Sequence, residues 1–364
     1  MDPATTPSPL ITGTSLALAQ DRGLAWLRDH QYPNGEFCAY SSGDDPMLGW
    51  CRPDSTVFPT ALIGSCLLPL RGNALADELL RSTALFLRAQ MARGGTWNHF
   101  TLGHPLRALC PMDADDTACV SALLAALGTG FPADQNTKLL LDNRRTDGLF
   151  YTWFAFHLRL QVRTGTDHLA LRLRALRNPL ATLLFWNKME CGPDDVDAVV
   201  NANLLYYLGL NEHTRPVVNY LLDIIAKGGE GDCDKWYRHP LSVYYFIARN
   251  CPGGALSRDE LAPVLLKRIV AKAAPGGRIG ESALHTALAA TTLLNLGVRN
   301  PLLDGAVAYL LASQQANGSW PRWRLYYGGP SLVNGYGSEE LTTAFCLEAL
   351  ARYRATTAAI DSSR

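Results

Sequence analysis

Apolar positions recur along this chain at i, i+3 and i+4 rather than at every second residue, the spacing of one helix face. Strand signals are weak, so an all-α protein is expected. Two kinds of helical segment alternate. One kind is amphipathic, at about 16–30, 76–90, 213–226, 259–273 and 302–314. The other is apolar nearly all round, as expected of helices buried on every side. Those segments start at Asp54, Asp115, Asp197, Leu241, Glu281 and Glu339. A sixth amphipathic partner is expected within 135–186. Six inner and six outer helices in alternation predict an (α/α)6 toroid, with the N-termini of parallel inner helices ringing one mouth. At Asp54, Glu281 and Glu339 the plainer reading is a helix cap or first-turn acid.

The outer helices share an ending: apolar helix, glutamine, glycine, aromatic. It reads "LAWLRDHQYPNGEF" at Leu24–Phe37, "ALFLRAQMARGGTW" at Ala84–Trp97 and "AYLLASQQANGSW" at Ala308–Trp320. The glycine suits a helix end at positive φ. The aromatic packs back, and the glutamine can bond freed backbone groups. No linker composition divides the chain, so residues 10–355 are read as one domain, and 1–9 and 356–364 as disordered tails.

Of the 364 residues 48% are hydrophobic and only 18% charged, which suits a large core or an apolar cavity and excludes disorder. Lys+Arg and Asp+Glu are both 33, so nothing in the bulk charge attracts nucleic acid or anionic lipid. Nine cysteines without CxxC spacing read as reduced thiols, which predicts a cytoplasmic protein. The start "MDPATTPSPLITGTS" lacks the basic and apolar regions of a secretion signal, and no run has membrane-spanning character.

The stretch "CPMDADDTACVSALLAALG", Cys110–Gly128, places Asp113, Asp115 and Asp116 at the start of an inner helix. One carboxylate caps a helix; crowding two more beside it raises their proton affinity. An acid that keeps its proton beside an apolar cavity can donate it to a substrate.

"DADDTA", with glutamine–glycine–tryptophan repeats around it, resembles the class II terpene cyclases, among them squalene–hopene cyclase and the copalyl diphosphate synthases. The resemblance spans most of the chain. It implies that Asp115 is the general acid that protonates a terminal alkene or epoxide, with Asp113 and Asp116 holding and polarising it. It implies an isoprenoid substrate: farnesyl or geranylgeranyl diphosphate with the diphosphate retained, or a prenylated small molecule. Family members usually carry two toroids with the cavity between them. This chain has length for one, so a second copy in a homodimer could wall the cavity.

Carbocation chemistry calls for aromatic faces. The candidates are Trp97, Phe100, Phe150, Trp153, Phe154, Trp236, Tyr237, Tyr244 and Tyr336, with ordinary core packing the alternative for each. A diphosphate calls for cations, and Lys235 and Arg238 form the densest set. Mg²⁺ could bridge that diphosphate to Asp194, Asp195 and Asp197. For both segments a solvated loop with a helix cap is the alternative. Protein prenyltransferase β-subunits share the expected toroid and bind zinc through Asp, Cys and His. Asp232 or Asp234, Cys233, and His239 or His285 could be so assembled. His99 and His104 precede the acid cluster and could tune it, a surface position being the alternative. Two other functions fit a toroid: glycoside hydrolysis, pairing Asp115 with Asp197 or Glu340, and non-catalytic prenyl or peptide binding.

Overall fold

The computed structural model describes residues 11–155 and 179–361. Its helices are α1 (Gly13–His30), α2 (Phe58–Leu67), α3 (Ala74–Ala89), α4 (Ala114–Ala126), α5 (Ala133–Asp142), α6 (Pro179–Lys188), α7 (Ala198–Leu208), α8 (Arg215–Lys227), α9 (Pro240–Ala248), α10 (Arg258–Val270), α11 (Ala283–Asn295), α12 (Pro301–Ser313) and α13 (Glu339–Asp361). Helices α2, α4, α7, α9, α11 and α13 pack each against the next, and α13 closes on α2. Around this ring lie α1, α3, α5, α8, α10 and α12, which makes an (α/α)6 toroid.

Burial follows the two sequence patterns. In inner helix α9 every residue from Leu241 to Ala248 is buried. In outer helix α8 the buried residues are Val217, Leu221, Ile224 and Ile225, one stripe at helical spacing. The sixth outer helix is the short α5, which buries Asn136, Leu139 and Leu140. Helix α6 belongs to neither ring. Helix α13 continues to Asp361, beyond residue 356 where a tail was expected; residues 1–9 and 362–364 lie outside the described residues.

At two of the repeats the turn glutamine ties one outer helix to its neighbour. Gln31 donates from Nε2 to Gly35 O at 3.1 Å and to Leu79 O of α3 at 3.3 Å. Gln314 donates to Gly318 O and to Ala19 O of α1, both at 2.9 Å, so the last repeat locks onto the first. Gln90 differs: its Oε1 accepts from Leu102 N at 2.7 Å. The aromatic then binds an inner helix. The backbone N–H groups of Phe37, Trp97 and Trp320 donate to the hydroxyls of Thr60, Thr117 and Thr343 at 3.0–3.2 Å.

A four-stranded antiparallel sheet, unexpected from the sequence, covers part of one mouth. Its strands are β1 (Ala39–Ser42), β2 (Cys51–Asp54), β3 (Arg324–Tyr327) and β4 (Gly335–Gly337), in the order β2-β1-β4-β3. It joins segments from the two ends of the chain beside the seam where α13 meets α2, and Arg324 Nε donates to Asp45 Oδ1 at 2.7 Å. Among the described residues no helix is long and apolar enough to cross a membrane.

Candidate active site

Asp113 is the N-cap of α4, and its Oδ1 accepts from Asp116 N at 2.7 Å. Asp115 lies in the first turn, where the helix N-terminus favours negative charge. Its Oδ2 accepts from Tyr237 Oη at 2.7 Å, and its Oδ1 accepts from Asn203 Nδ2 of α7. Asn203 Oδ1 in turn accepts from Arg249 Nη2 at 2.6 Å. The Arg249 guanidinium is buried and lies over the Tyr206 and Phe246 rings at 4.3 and 4.9 Å. A buried cation thus reaches Asp115 through one amide.

Burial lifts all three carboxyls, because a charged carboxylate loses hydration in an apolar surround. Asp115 rises to about 6; the bonds from Tyr237 and Asn203 and the Arg249 charge oppose the rise by favouring the carboxylate. Asp113 rises to about 7. Asp116 is pushed well above its ordinary range by burial and then by the Asp113 charge, so it keeps its proton.

All three border one cavity that opens to solvent. Its walls are mostly aromatic. Phe58 of α2, Phe100, Trp153, Trp236 and Tyr237 join Tyr326, Tyr327 and Tyr336 of the sheet, while Phe185 of α6 and Met189 form another side. Asp197 holds part of this wall without lining it: its Oδ2 accepts from Thr152 Oγ1 at 2.6 Å and from Trp236 Nε1 at 3.1 Å.

Six of the expected binding residues stand elsewhere. Trp97 lies in the core, and its Nε1 donates to Leu87 O at 2.7 Å, as Trp320 does to Leu310 O at 2.8 Å. Phe150 is the same element again. The turn before it holds Gly148 at φ 88°, and its N–H donates to Asn201 Oδ1 at 2.9 Å. The aromatics at these turns are structural, which is why Trp97 and Phe150 do not reach the cavity. Phe154 is core. Tyr244 turns its hydroxyl to Glu230. Lys235 Nζ pairs with Asp195 Oδ1 at 2.6 Å, and Arg238 Nη1 donates to Asp234 O at 3.0 Å. Phe100, Trp153, Trp236, Tyr237 and Tyr336 do line the cavity.

The expected metal ligands are engaged in other contacts. Asp195 has one oxygen on Lys235 and the other accepting from Gly192 N at 2.9 Å. Asp197 is spent on Thr152, Trp236 and Lys235 N. Asp194 precedes them in the same segment. For zinc, Asp234 accepts from Val199, Trp236 and Tyr237 N–H groups, and His239 stacks on His285 at 3.6 Å. Among the described residues no group of three His, Cys, Asp or Glu is poised to hold a metal. Among the described residues neither early histidine is seen bonded to the acid cluster. His104 Nε2 meets Asp54 Oδ1 at 2.7 Å, and His99 lines the cavity.

Asn203 and Arg249 were missed in the sequence. Their signal was a polar side chain inside an otherwise apolar inner helix, "DAVVNANLLYYL" and "LSVYYFIARN". Tyr326 and Phe58 carried no comparable signal.

No sequence-family model and no curated protein sequence matches the chain. Solved structures do. A variant of the type II terpene cyclase MstE from Scytonema, bound to its substrate geranylgeranyl dihydroxybenzoate, superposes with TM-score 0.66 at 18% identity, covering 94% of this chain and 98% of that one. The ent-copalyl diphosphate synthase from Streptomyces platensis gives 0.53 at 21% identity, over 81% of this chain and 50% of that one. An unsaturated glucuronyl hydrolase specific for heparin gives 0.56 at 11% identity, over 95% and 99%. At these identities the likeness is one of fold, and that fold carries both terpene cyclisation and sugar hydrolysis.

Proposed function

We propose that this chain is a class II terpene cyclase: Asp115 protonates the terminal alkene or epoxide of a linear prenyl chain, and the resulting cation closes into rings within the aromatic cavity. One observation carries the reading. Asp115 is a carboxyl of raised proton affinity, about 6, bordering a cavity walled by aromatic rings.

The geometry suits each requirement. Burial keeps a share of Asp115 protonated near neutral pH. As the proton leaves, charge develops on both oxygens, and the Tyr237 hydroxyl and the Asn203 amide already point at them. Arg249 and the α4 N-terminus add to that field. Phe58, Phe100, Trp153, Trp236 and Tyr326 offer ring faces to a migrating cation, each worth about 0.5–2 kcal/mol or more when desolvated. The four rings other than Tyr326 carry no oxygen that would trap the cation early. Asp113 caps α4 and so sets where Asp115 stands, and the Asp197 charge adds to the burial that raises Asp115. Glycoside hydrolysis is disfavoured, because it needs a second carboxylate across a sugar site. Asp197 is committed behind the wall, and Glu340 of α13 is not part of the lining.

The test is incubation with farnesyl diphosphate, geranylgeranyl diphosphate and a geranylgeranyl hydroxybenzoate, followed by mass-resolved chromatography. The expected product is a cyclic isomer of one of them, absent with Asp115→Asn. No cyclised product from any member of the panel overturns the reading.

A further inference from the structure

We infer that His99 is the base that ends the reaction, taking from the last carbocation the proton whose loss forms the product alkene. The inference rests on the cyclase reading above and adds a residue to it.

Cyclisation started by an acid must stop. Asp115 has spent its proton at the initiating end, where its two oxygens are engaged by Tyr237 and Asn203. Elsewhere in the lining, the Asp113 carboxyl is held as the cap of α4, and the unpaired Tyr326 hydroxyl is a far weaker base than an imidazole. Asp116 holds its proton, the Cys110 thiol is pushed up by burial, and Thr152 is bonded to Asp197. His99 differs. Its Nε2 is buried and finds no hydrogen-bond partner among the described residues. An unpaired polar atom of this kind is unusual in a folded protein and calls for an explanation.

The ring is held rather than loose. It meets Phe100, Tyr336 and Tyr326 edge to face, with centroids 4.9, 5.1 and 5.7 Å away, and all three line the cavity. Behind it, His99 O accepts from Val57 N at 2.8 Å, which fixes the backbone against the start of α2. Tyr326 stands between the two ends of the proposed reaction: its ring lies 5.7 Å from His99 and 6.3 Å from Tyr237, the donor to Asp115.

Burial also lowers the imidazolium to about 3, so the ring is neutral at working pH and one nitrogen carries a lone pair. Such a ring is a weak base toward water. A carbon beside a carbocation is a far stronger acid, so the transfer still runs downhill. The step balances. The C–H pair becomes the new π bond, the proton binds the imidazole, and the cation is discharged. The imidazolium, disfavoured by its surroundings, then gives the proton up, and Asp115 regains one before the next turnover. Nothing is consumed, as an isomerisation requires.

The test compares products of wild type and His99→Phe with the geranylgeranyl diphosphate and geranylgeranyl hydroxybenzoate probes. The phenyl ring keeps the aromatic shape and removes the lone pair. The expected result is a shift of at least about tenfold in product ratio, from the wild-type alkene to isomeric alkenes or to the alcohol formed by water capture. An unchanged ratio in a cyclising His99→Phe enzyme overturns the base and leaves the cyclase reading intact. No cyclised product from wild type overturns that reading and this inference with it. If His99→Phe does not fold, ¹⁵N-histidine NMR of the wild type decides. His99 is expected to show one N–H and one bare nitrogen from pH 5 to 8. A protonated ring, or a nitrogen bonded to Asp116, overturns the proposal.

Discussion

Tyr237, 122 residues beyond Asp115 in the chain, donates its phenolic proton to Asp115 Oδ2 at 2.7 Å. The bond fixes which way the carboxyl faces and favours its ionised form. Removing it in Tyr237→Phe raises the Asp115 proton affinity further. A hydrogen bond to a charged group is worth about 1.5–3 kcal/mol, or roughly 1–2 pH units. Turnover by the protonated acid falls as pH rises through its pKa, about 6 in wild type. In Tyr237→Phe that alkaline limb moves up by about 1–2 pH units, read from kcat/KM against pH. A limb that stays in place would detach Tyr237 from the acid.

Arg249 places a buried cation behind Asn203, and Asn203 relays it to Asp115. Asn203→Leu leaves that cation short of a partner and costs about 3 kcal/mol in urea unfolding. Arg249→Met removes the charge and leaves one amide oxygen unpaired, a smaller cost of about 1–3 kcal/mol. The double variant loses at least about 1 kcal/mol less than the two single losses together, because the groups act as one unit. Additive losses would argue against the relay.

The toroid was legible because inner and outer helices bury different fractions of their circumference, and that difference is written in the apolar spacing. The acid cluster was legible because three carboxyls exceed what one cap needs. Aromatic density misled. Trp97 and Phe150 follow turn glycines and occupy the same structural place as Trp320, so their rings serve the repeat rather than the cavity. The sheet left no trace, since strands of three or four residues show no period. Tyr326 and Tyr336 reach the site because β4 pairs with β1 from the other end of the chain and β3 pairs with β4.

Keeping Asp115 protonated has a cost in stability that can be measured. Its folded pKa of about 6 lies above the ordinary 3.8, so the folded chain holds more protons than the unfolded one between those values. Stability is therefore fully present below pH 4 and is lost as pH rises toward 6 and beyond. A pKa raised by about 2 corresponds to roughly 3 kcal/mol. Asp115→Asn carries no such group. Relative to wild type it gains about 3 kcal/mol between pH 4 and pH 7, read from urea midpoints at the two pH values. A gap that does not change with pH would mean that the carboxyl titrates at its ordinary value.

Ring closure depends on Gly318, where the last repeat meets α1. Its φ is +97°, and a Cβ there would come within 2.5 Å of Arg22 O. Both effects act against a side chain. Gly72 separates them, because its φ is +93° and nothing lies within 4 Å of its would-be Cβ. Gly72→Ala meets only the left-handed backbone strain, about 1–2 kcal/mol. Gly318→Ala adds the collision with a backbone that α1 cannot easily move, since Gln314 also anchors to Ala19 O at 2.9 Å. It is expected to cost at least about 2 kcal/mol more than Gly72→Ala in urea unfolding. Equal losses would mean that backbone strain alone sets the requirement for glycine, and that the seam between the first and last repeats has room to yield.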